Sequence, residues 1–367
     1  MSELSVPFVG LSIRFDKYRE KLLETIQSLG DSGQWILGSP VSELEQELTS
    51  WCGCEHVVAV NSGFDALLFS LKVLGVGPGD EVITAPNSFV ASAAAIAATG
   101  ATPVFSDVSE DYNLDPEKLA DAITVKTKAI MPVHLTGMPV NMEPIIELAR
   151  SASVPIVEDA AQAIGAKYMG RTVGSLGDLG CFSLNPLKNF HVFGDGGFVS
   201  TNNEQYADRL KLLRNHGLIN RDESVELAFN SRLDSIQAAM ALVLIEELAD
   251  WTDRFREIAK MYCEGLAEVV VLPKMHPEVE PVFHNFIVRV SRRDELISYL
   301  ATQGIEAKIH YPIPLHLQKA CSHLGYVAGD FPVAEMLSGE IVSLPIYPEL
   351  SNEQVERVVL AVRRFFD

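Results

Sequence analysis

The chain has 367 residues, of which 47% are hydrophobic, 21% charged and 8% aromatic, so it can bury a large core and does not have the composition of a disordered chain. Its 29 Lys and Arg against 49 Asp and Glu leave a formal net charge of −20. A general nucleic-acid surface would have to overcome that long-range repulsion, and a solvated acidic exterior is expected instead.

The N-terminal stretch MSELSVPFVGLSIRFDKYREKL carries Glu3, Arg14, Asp16 and Lys17 without a long apolar segment, which predicts no secretory signal and a cytoplasmic location. Ser39-Pro40 reads as the N-cap and first-turn proline of a helix with Leu44 and Leu48 on one face. The five cysteines, Cys52, Cys54, Cys181, Cys263 and Cys321, are an odd, scattered set that fits reduced thiols. The Cys52-x-Cys54 pair lacks a clear fourth ligand, so no metal is expected.

A strand over 57–60 leads into a helix that begins near Gly63, runs through Leu67, Leu71 and Leu74, and stops at Gly75. The glycines in Gly75-Val76-Gly77-Pro78-Gly79-Asp80 follow a helix and precede a strand, the reverse of a dinucleotide-binding loop, and read as a turn. The charge-free run 82–106 is long enough to cross a bilayer, but Pro86, Asn87, Ser88, Ser92, Thr99, Gly100, Thr102 and Pro103 interrupt it. It reads as a strand end, a buried small-residue helix and a strand, with no membrane span. Further strands are expected over 81–84, 103–107, 127–133, 154–158, 181–184 and 198–201, giving a largely parallel sheet with helices on its faces. After a helical stretch over 235–266 come strands at 283–290, 305–310 and 341–344, with helices opened by Arg293-Asp294-Glu295 and by Ser351, a small C-terminal α/β unit.

Four segments place functional groups at strand ends, where open parallel sheets gather ligands. In Asn61-Ser62-Gly63-Phe64-Asp65 a strand turns directly into a helix whose first amides suit an anion, although Ser62 could be an ordinary N-cap. In Glu158-Asp159-Ala160-Ala161-Gln162 two carboxylates close an apolar strand, able to hold a positive charge, ligate a metal or cap a helix. Ser183-Leu184-Asn185-Pro186-Leu187-Lys188-Asn189 sets a hydroxyl at a strand end and a lysine five residues on. Such a lysine is either a solvated surface group or, if desolvated, a nucleophile toward carbonyls. Gly194-Asp195-Gly196-Gly197 forms a tight turn into the next strand.

In this order and spacing the segments resemble the aspartate-aminotransferase fold (fold type I), and more closely the DegT/DnrJ/StrS family of sugar aminotransferases. The similarity runs from GSPVSELE through GVGPGDEVI, PVHLTG, EDAAQAIGA, FSLNPLKN, GDGG and RNHG to IHYPIPLH. It implies an α/β fold with a large, mainly parallel mixed sheet flanked by helices. Residues 1–250 would form the large cofactor-binding domain with an N-terminal arm, and 251–367 a small C-terminal α/β domain.

By the same resemblance, Lys188 matches the lysine that holds pyridoxal 5′-phosphate (PLP) covalently and shuttles the proton, with pyridoxamine 5′-phosphate as the intermediate cofactor form. Asp159 matches the partner of the pyridine nitrogen, Gln162 a side chain near the phenolic oxygen, and Phe89 the aromatic stacked on the ring. Ser62, Gly63, Phe64 and Ser183 match the phosphate cup. Asn230 matches an asparagine that reaches the neighbouring subunit's phosphate, implying a homodimer with shared active sites. Phe64 stands where the family usually has threonine, and Asp195 where many members have glutamate. His134, His216, His310 and Tyr311 fall in segments near the substrate, where each could also have a hydrogen-bonded structural role.

The implied reaction moves an amino group from L-glutamate to a keto sugar. Nucleotide-linked keto-deoxysugars are the leading acceptor class, with free keto sugars, sugar phosphates and keto sugar acids such as an ulosonate as others. Two alternatives remain at this point: a pyridoxamine-dependent sugar dehydratase, which carries histidine in place of Lys188, and a non-catalytic PLP-binding regulator.

Overall fold

The computed structural model describes residues 6–367. In chain order its elements are α1 (Leu11–Ser32), α2 (Ser39–Cys52), β1 (His56–Val60), α3 (Gly63–Val73), β2 (Glu81–Thr84), α4 (Val90–Ala98), β3 (Thr102–Phe105), α5 (Pro116–Ala122), β4 (Thr127–Met131), α6 (Met142–Ala152) and β5 (Val157–Asp159). A hairpin of β6 (Lys167–Tyr168) and β7 (Arg171–Thr172) precedes β8 (Leu179–Ser183), β9 (Gly197–Thr201), α7 (Glu204–Arg214), α8 (Ser235–Ile245) and α9 (Leu248–Leu266). The C-terminal part contains β10 (Val279–Glu280), β11 (Phe286–Arg289), α10 (Arg293–Thr302), α11 (Pro332–Glu340), β12 (Ile341–Leu344) and α12 (Asn352–Phe366).

Strands β3-β2-β4 and β5-β8-β9-β1 form two hydrogen-bonded sets. Parallel bridges Ile130↔Ile156 and Val133↔Asp159 join β4 to β5, making one twisted surface. Only β9 runs against its neighbours, β1 and β8; the other pairs are parallel. Alternation along each strand feeds two cores: Val57 and Ala59 face the layer of α2 and α8, while Val58 and Val60 face α3 and α7. A third core gathers Val6, the second half of α9, β11, α10, β12 and α12.

The register explains why distant sequence segments meet. Gly197 at the start of β9 is opposite both Val60 at the end of β1 and Ser183 at the end of β8, and Asp159 ends β5 beside β8. All four segments singled out in the sequence therefore open on one edge of the sheet.

Several local expectations are corrected. Gly38, not Ser39, is the N-cap of α2, and Ser39 is its first helical residue with Pro40 behind it; the Gly38 N–H is satisfied by Ser235 Oγ at 3.2 Å. Residues 305–310 form no continuous strand but make isolated bridges, Ile305 to Val6 and Lys308 to Ser343. The helical stretch 235–266 is two helices, α8 and α9. Helix α1 was not expected; its Arg14 is buried, bonded through Nε to Glu349 Oε1 at 2.8 Å and through Nη2 to Oε2 at 3.1 Å, and lies 4.4 Å from the centre of the Trp251 ring.

His134, a sequence candidate for substrate contact, serves the fold instead. It is fully buried, its Nδ1 accepts from Val140 N at 3.0 Å, and its Nε2–H therefore donates to Glu158 Oε2 at 3.0 Å. Glu158 also accepts from Gly174 N at 2.9 Å, Leu176 N at 2.8 Å and Gly177 N at 2.7 Å, so one buried carboxylate organises the turn that leads into β8. Glu158→Gln replaces one acceptor oxygen with an NH2 donor that faces other donors, and is expected to destabilise the protein by about 2–4 kcal/mol. Urea unfolding checks this, and an unchanged midpoint would contradict it.

Candidate active site

A cavity of about 520 Å³ opens where the strand ends meet, walled by the turns after β1, β5 and β8, the start of α4, the chain from Phe8 to Arg14, and residues from the C-terminal part. That size suits a cofactor together with part of a substrate. Asp159 lies in this wall and is almost fully buried. Its Oδ2 accepts from Ser92 Oγ at 2.8 Å and its Oδ1 from Ala161 N at 3.3 Å. Because Ser92 donates to Asp159, the 2.7 Å contact between Ser88 Oγ and Ser92 Oγ has Ser88 as donor. Burial pushes the Asp159 carboxyl above the usual range, while Ser92, Ala161 and the charge of Lys188 pull the other way. A desolvated acceptor of this kind gains most from a cation placed against it.

Lys188 lines the same cavity. Its turn is set by local bonds: Ser183 Oγ accepts from Asn185 N at 3.3 Å, Asn185 Oδ1 from Leu187 N at 3.2 Å, and Asn185 O from Lys188 N at 2.8 Å. Burial lowers the ammonium to about 8, with Asp159 opposing the shift. The amine is thus substantially neutral at mildly alkaline pH, as attack on a carbonyl requires.

The anion end is built from α3. Ser62 Oγ accepts from Asp65 N at 3.1 Å as the N-cap, leaving the first-turn amides of Gly63 and Phe64 at the cavity wall. A Cβ at Gly63 would come within 2.7 Å of Ser183 Cβ, and one at Gly197 within 2.4 Å of the Ser62 carbonyl carbon. Only glycines allow this close approach of three chain segments, which brings the Ser183 hydroxyl to the N-terminus of α3. Phe89 caps α4 with its ring largely open to the cavity, 5.7 Å from the Tyr311 ring. Gln162 is oriented by its own bonds, Oε1 accepting from Thr136 N at 2.6 Å and Nε2 donating to Tyr311 Oη at 3.4 Å. A buried anion, an amine near neutrality, an amide-lined phosphate cradle and an aromatic face fit PLP group by group.

Not every sequence candidate lies here. His310 does, with Nδ1 2.9 Å from Ser343 Oγ and its protonated form disfavoured to about 4 by burial and by Lys308 and Lys188. Tyr311 does too, its phenol pushed up to about 12, chiefly by burial. His134 is buried away from the cavity, as described above. His216 and Asn230 are exposed on the 215–232 segment, outside the wall formed by their own chain. Sequence reasoning missed Ser88, Ser92, Asn189, His284 and Lys308, all in the wall. Ser92 could have been found, since it lies one helical turn after Phe89; His284 carried no local signal.

These features define a PLP-dependent aminotransferase, the class to which solved structures similar to this fold belong. A crystal structure described as S. venezuelae DesV in complex with a ketimine intermediate superposes with a TM-score of 0.96 at 42% identity, covering 98% of each chain. Residues 16–363 match the DegT/DnrJ/EryC1/StrS aminotransferase family, and the chain belongs to it. The dTDP-3-amino-3,4,6-trideoxy-alpha-D-glucose transaminase of Streptomyces venezuelae is 42% identical over 363 residues, 98% of this chain and 96% of that one. A protein named pleiotropic regulatory protein from Geobacillus stearothermophilus is 39% identical over 368 residues, 99% of each.

The lysine gives a pH prediction. Capture of PLP by the apoprotein needs the neutral amine, so its rate should rise about tenfold per pH unit below the lysine's value and level off above it. Stopped-flow absorbance is expected to place that bend near 8. A rate still climbing at about pH 10, the range of an ordinary lysine, would contradict the burial argument.

Proposed function

We propose that this sugar aminotransferase moves an amino group from L-glutamate to the C3 ketone of a nucleotide-linked hexose, acting as a homodimer whose partner completes each site. The reading rests above all on Lys188, an amine brought near neutrality in the same cavity as the desolvated Asp159. The acceptor class draws on relatives named for 3-amino or 3-dehydro nucleotide sugars.

When bound, PLP supplies the electron sink that makes a carbon next to nitrogen acidic. Asp159 would hold the protonated ring nitrogen, and the cradle at Ser62, Gly63, Phe64 and Ser183 would anchor the phosphate. Phe89 would pack on the ring, and Gln162, fixed by Thr136, would bind near the phenolic oxygen. Lys188 Nζ takes the proton from the α-carbon of glutamate and, in the second half of the reaction, delivers one to the sugar carbon that receives nitrogen. An amine at 188 disfavours the dehydratase alternative, which carries histidine there, and loss of turnover in Lys188→Ala separates an enzyme from a PLP-binding regulator.

Support for the dimer comes from exposed apolar side chains. Phe89 and Leu187 in the cavity wall, Trp35 and Ile36 ahead of α2, and Ile219, Val225 and Leu227 on the segment that carries Asn230 are all exposed. Apolar groups in that number suit coverage by a second chain.

One complementation experiment tests the lysine and the shared site together. Turnover of a dTDP-linked 3-amino hexose with 2-oxoglutarate should fall by about 10³-fold or more in Lys188→Ala and should also fall in Asn230→Ala through weaker PLP retention. Mixing the two variants and allowing subunits to exchange should restore about a quarter of the wild-type rate, since half the dimers are mixed and one site in each of those is intact. No recovery on mixing would overturn the shared site, and Lys188→Ala retaining activity within tenfold of wild type would overturn the role of the lysine.

A further inference from the structure

Two histidines, His284 and His310, line the cavity, and the bonds around His284 fix which of its nitrogens carries hydrogen. Asn189 is buried, and its Nδ2 donates to the Val282 carbonyl at 2.9 Å. A carbonyl can only accept, so the amide of Asn189 has one orientation and its Oδ1 faces His284 Nδ1 at 3.0 Å. Nδ1 must therefore carry the hydrogen. Nε2 is left as a bare lone pair, and among the described residues nothing is bonded to it.

The backbone beneath is equally fixed. Val282 N donates to Gly137 O at 3.0 Å and Asn285 N to Thr136 O at 3.3 Å, and a Cβ on Gly137 would come within 2.9 Å of His284 N. The same Thr136 also orients Gln162. His284 is thus built onto the turn after β4 that also orients Gln162, although it belongs to the C-terminal part in sequence.

We propose that His284 Nε2 accepts a hydrogen bond from a sugar hydroxyl flanking the carbon that is aminated, and so determines which sugars the enzyme takes. This deepens the function proposed above and rests on it. The amino group is the one transferred; of the other groups that surround the reacting carbons, carboxylates and phosphates only accept hydrogen bonds, whereas the sugar hydroxyls flanking the aminated carbon donate. Burial, with Lys188 and His310 nearby, holds the imidazole well below its ordinary protonation range, so Nε2 keeps its lone pair at physiological pH. His310 has no comparable assignment, because its partner Ser343 Oγ can either donate or accept. A site with a fixed, desolvated acceptor discriminates strongly against a ligand that lacks the matching donor.

The test separates the half-reactions of the holoenzyme. L-glutamate drives one. The other is run in reverse with a dTDP-linked 3-amino-3,6-dideoxyhexose and with analogues lacking the C2 or the C4 hydroxyl. The wild type should prefer the fully hydroxylated sugar over one of these analogues by about 10–100-fold. His284→Leu should lose about that factor in the sugar half and erase the preference, while its glutamate half stays within about threefold. His284→Gln, which restores an acceptor near the position of Nε2, should recover part of both the rate and the preference.

Equal losses in the two half-reactions of His284→Leu would place the residue on Lys188 or the cofactor and overturn the proposal. So would a hydroxyl preference that survives the substitution. A distinct result, a wild type that responds to glutamate but to no nucleotide-linked amino sugar, would overturn the substrate reading and this inference with it. His284→Gln guards against a leucine variant that fails to fold: if it folds but shows neither rate nor preference recovered over His284→Leu, the acceptor role fails.

Discussion

Asp159 is the constraint around which the rest of the site is arranged. A carboxylate at the end of a buried parallel strand is costly to keep charged, and here it is compensated by one serine hydroxyl, one backbone amide and the charge of a nearby lysine. That lysine is in turn brought toward neutrality by the same dry surroundings. Each group is poorly satisfied by the protein alone, and both are improved by a ligand that offers a cationic ring nitrogen to the one and a carbonyl to the other. The stability given up at this edge of the sheet is the source of the chemistry.

Sheet topology carries the constraint outward. Because β9 runs against β8 and β1, its first residue meets the last residues of both neighbours, and the Ser62 turn, the Ser183 hydroxyl and the lysine loop converge although Ser62 and Ser183 are far apart in the chain. Two glycines, Gly63 and Gly197, permit the approach. Glu158, immediately before Asp159, faces the opposite way and gathers three amides and His134. Adjacent carboxylates thus divide the work by the alternation of a strand: one holds the fold and the other faces the cavity.

Much of this was legible in the chain. Asp159, Lys188, Ser62 and Ser183 each lie in a short segment whose apolar strand and small flanking residues mark a strand end, and the order of the segments carried the family resemblance. The histidines show where local reading fails. His134 sits in a recognisable segment, yet its partners are Glu158 and the Val140 amide, 24 and 6 residues away. His284 reaches the cavity through Asn189, 95 residues distant, so no nearby pattern announces it. Helix α1 was overlooked although Tyr18, Leu22 and Leu29 share a buried face at helical spacing. Its amphipathic stripe is sparse, and its most buried polar residue, Arg14, is explained only by Glu349 at the far end of the chain.

The central claim is that Lys188 and Asp159 together make a working PLP site for amino transfer. The most direct measurement is the visible absorption spectrum of the purified protein with PLP, recorded before and after L-glutamate is added. The account predicts a yellow band that glutamate bleaches and that 2-oxoglutarate restores, with both changes lost in Lys188→Ala. A protein that binds PLP without forming the band, or that keeps the band unchanged in the presence of glutamate, would contradict it.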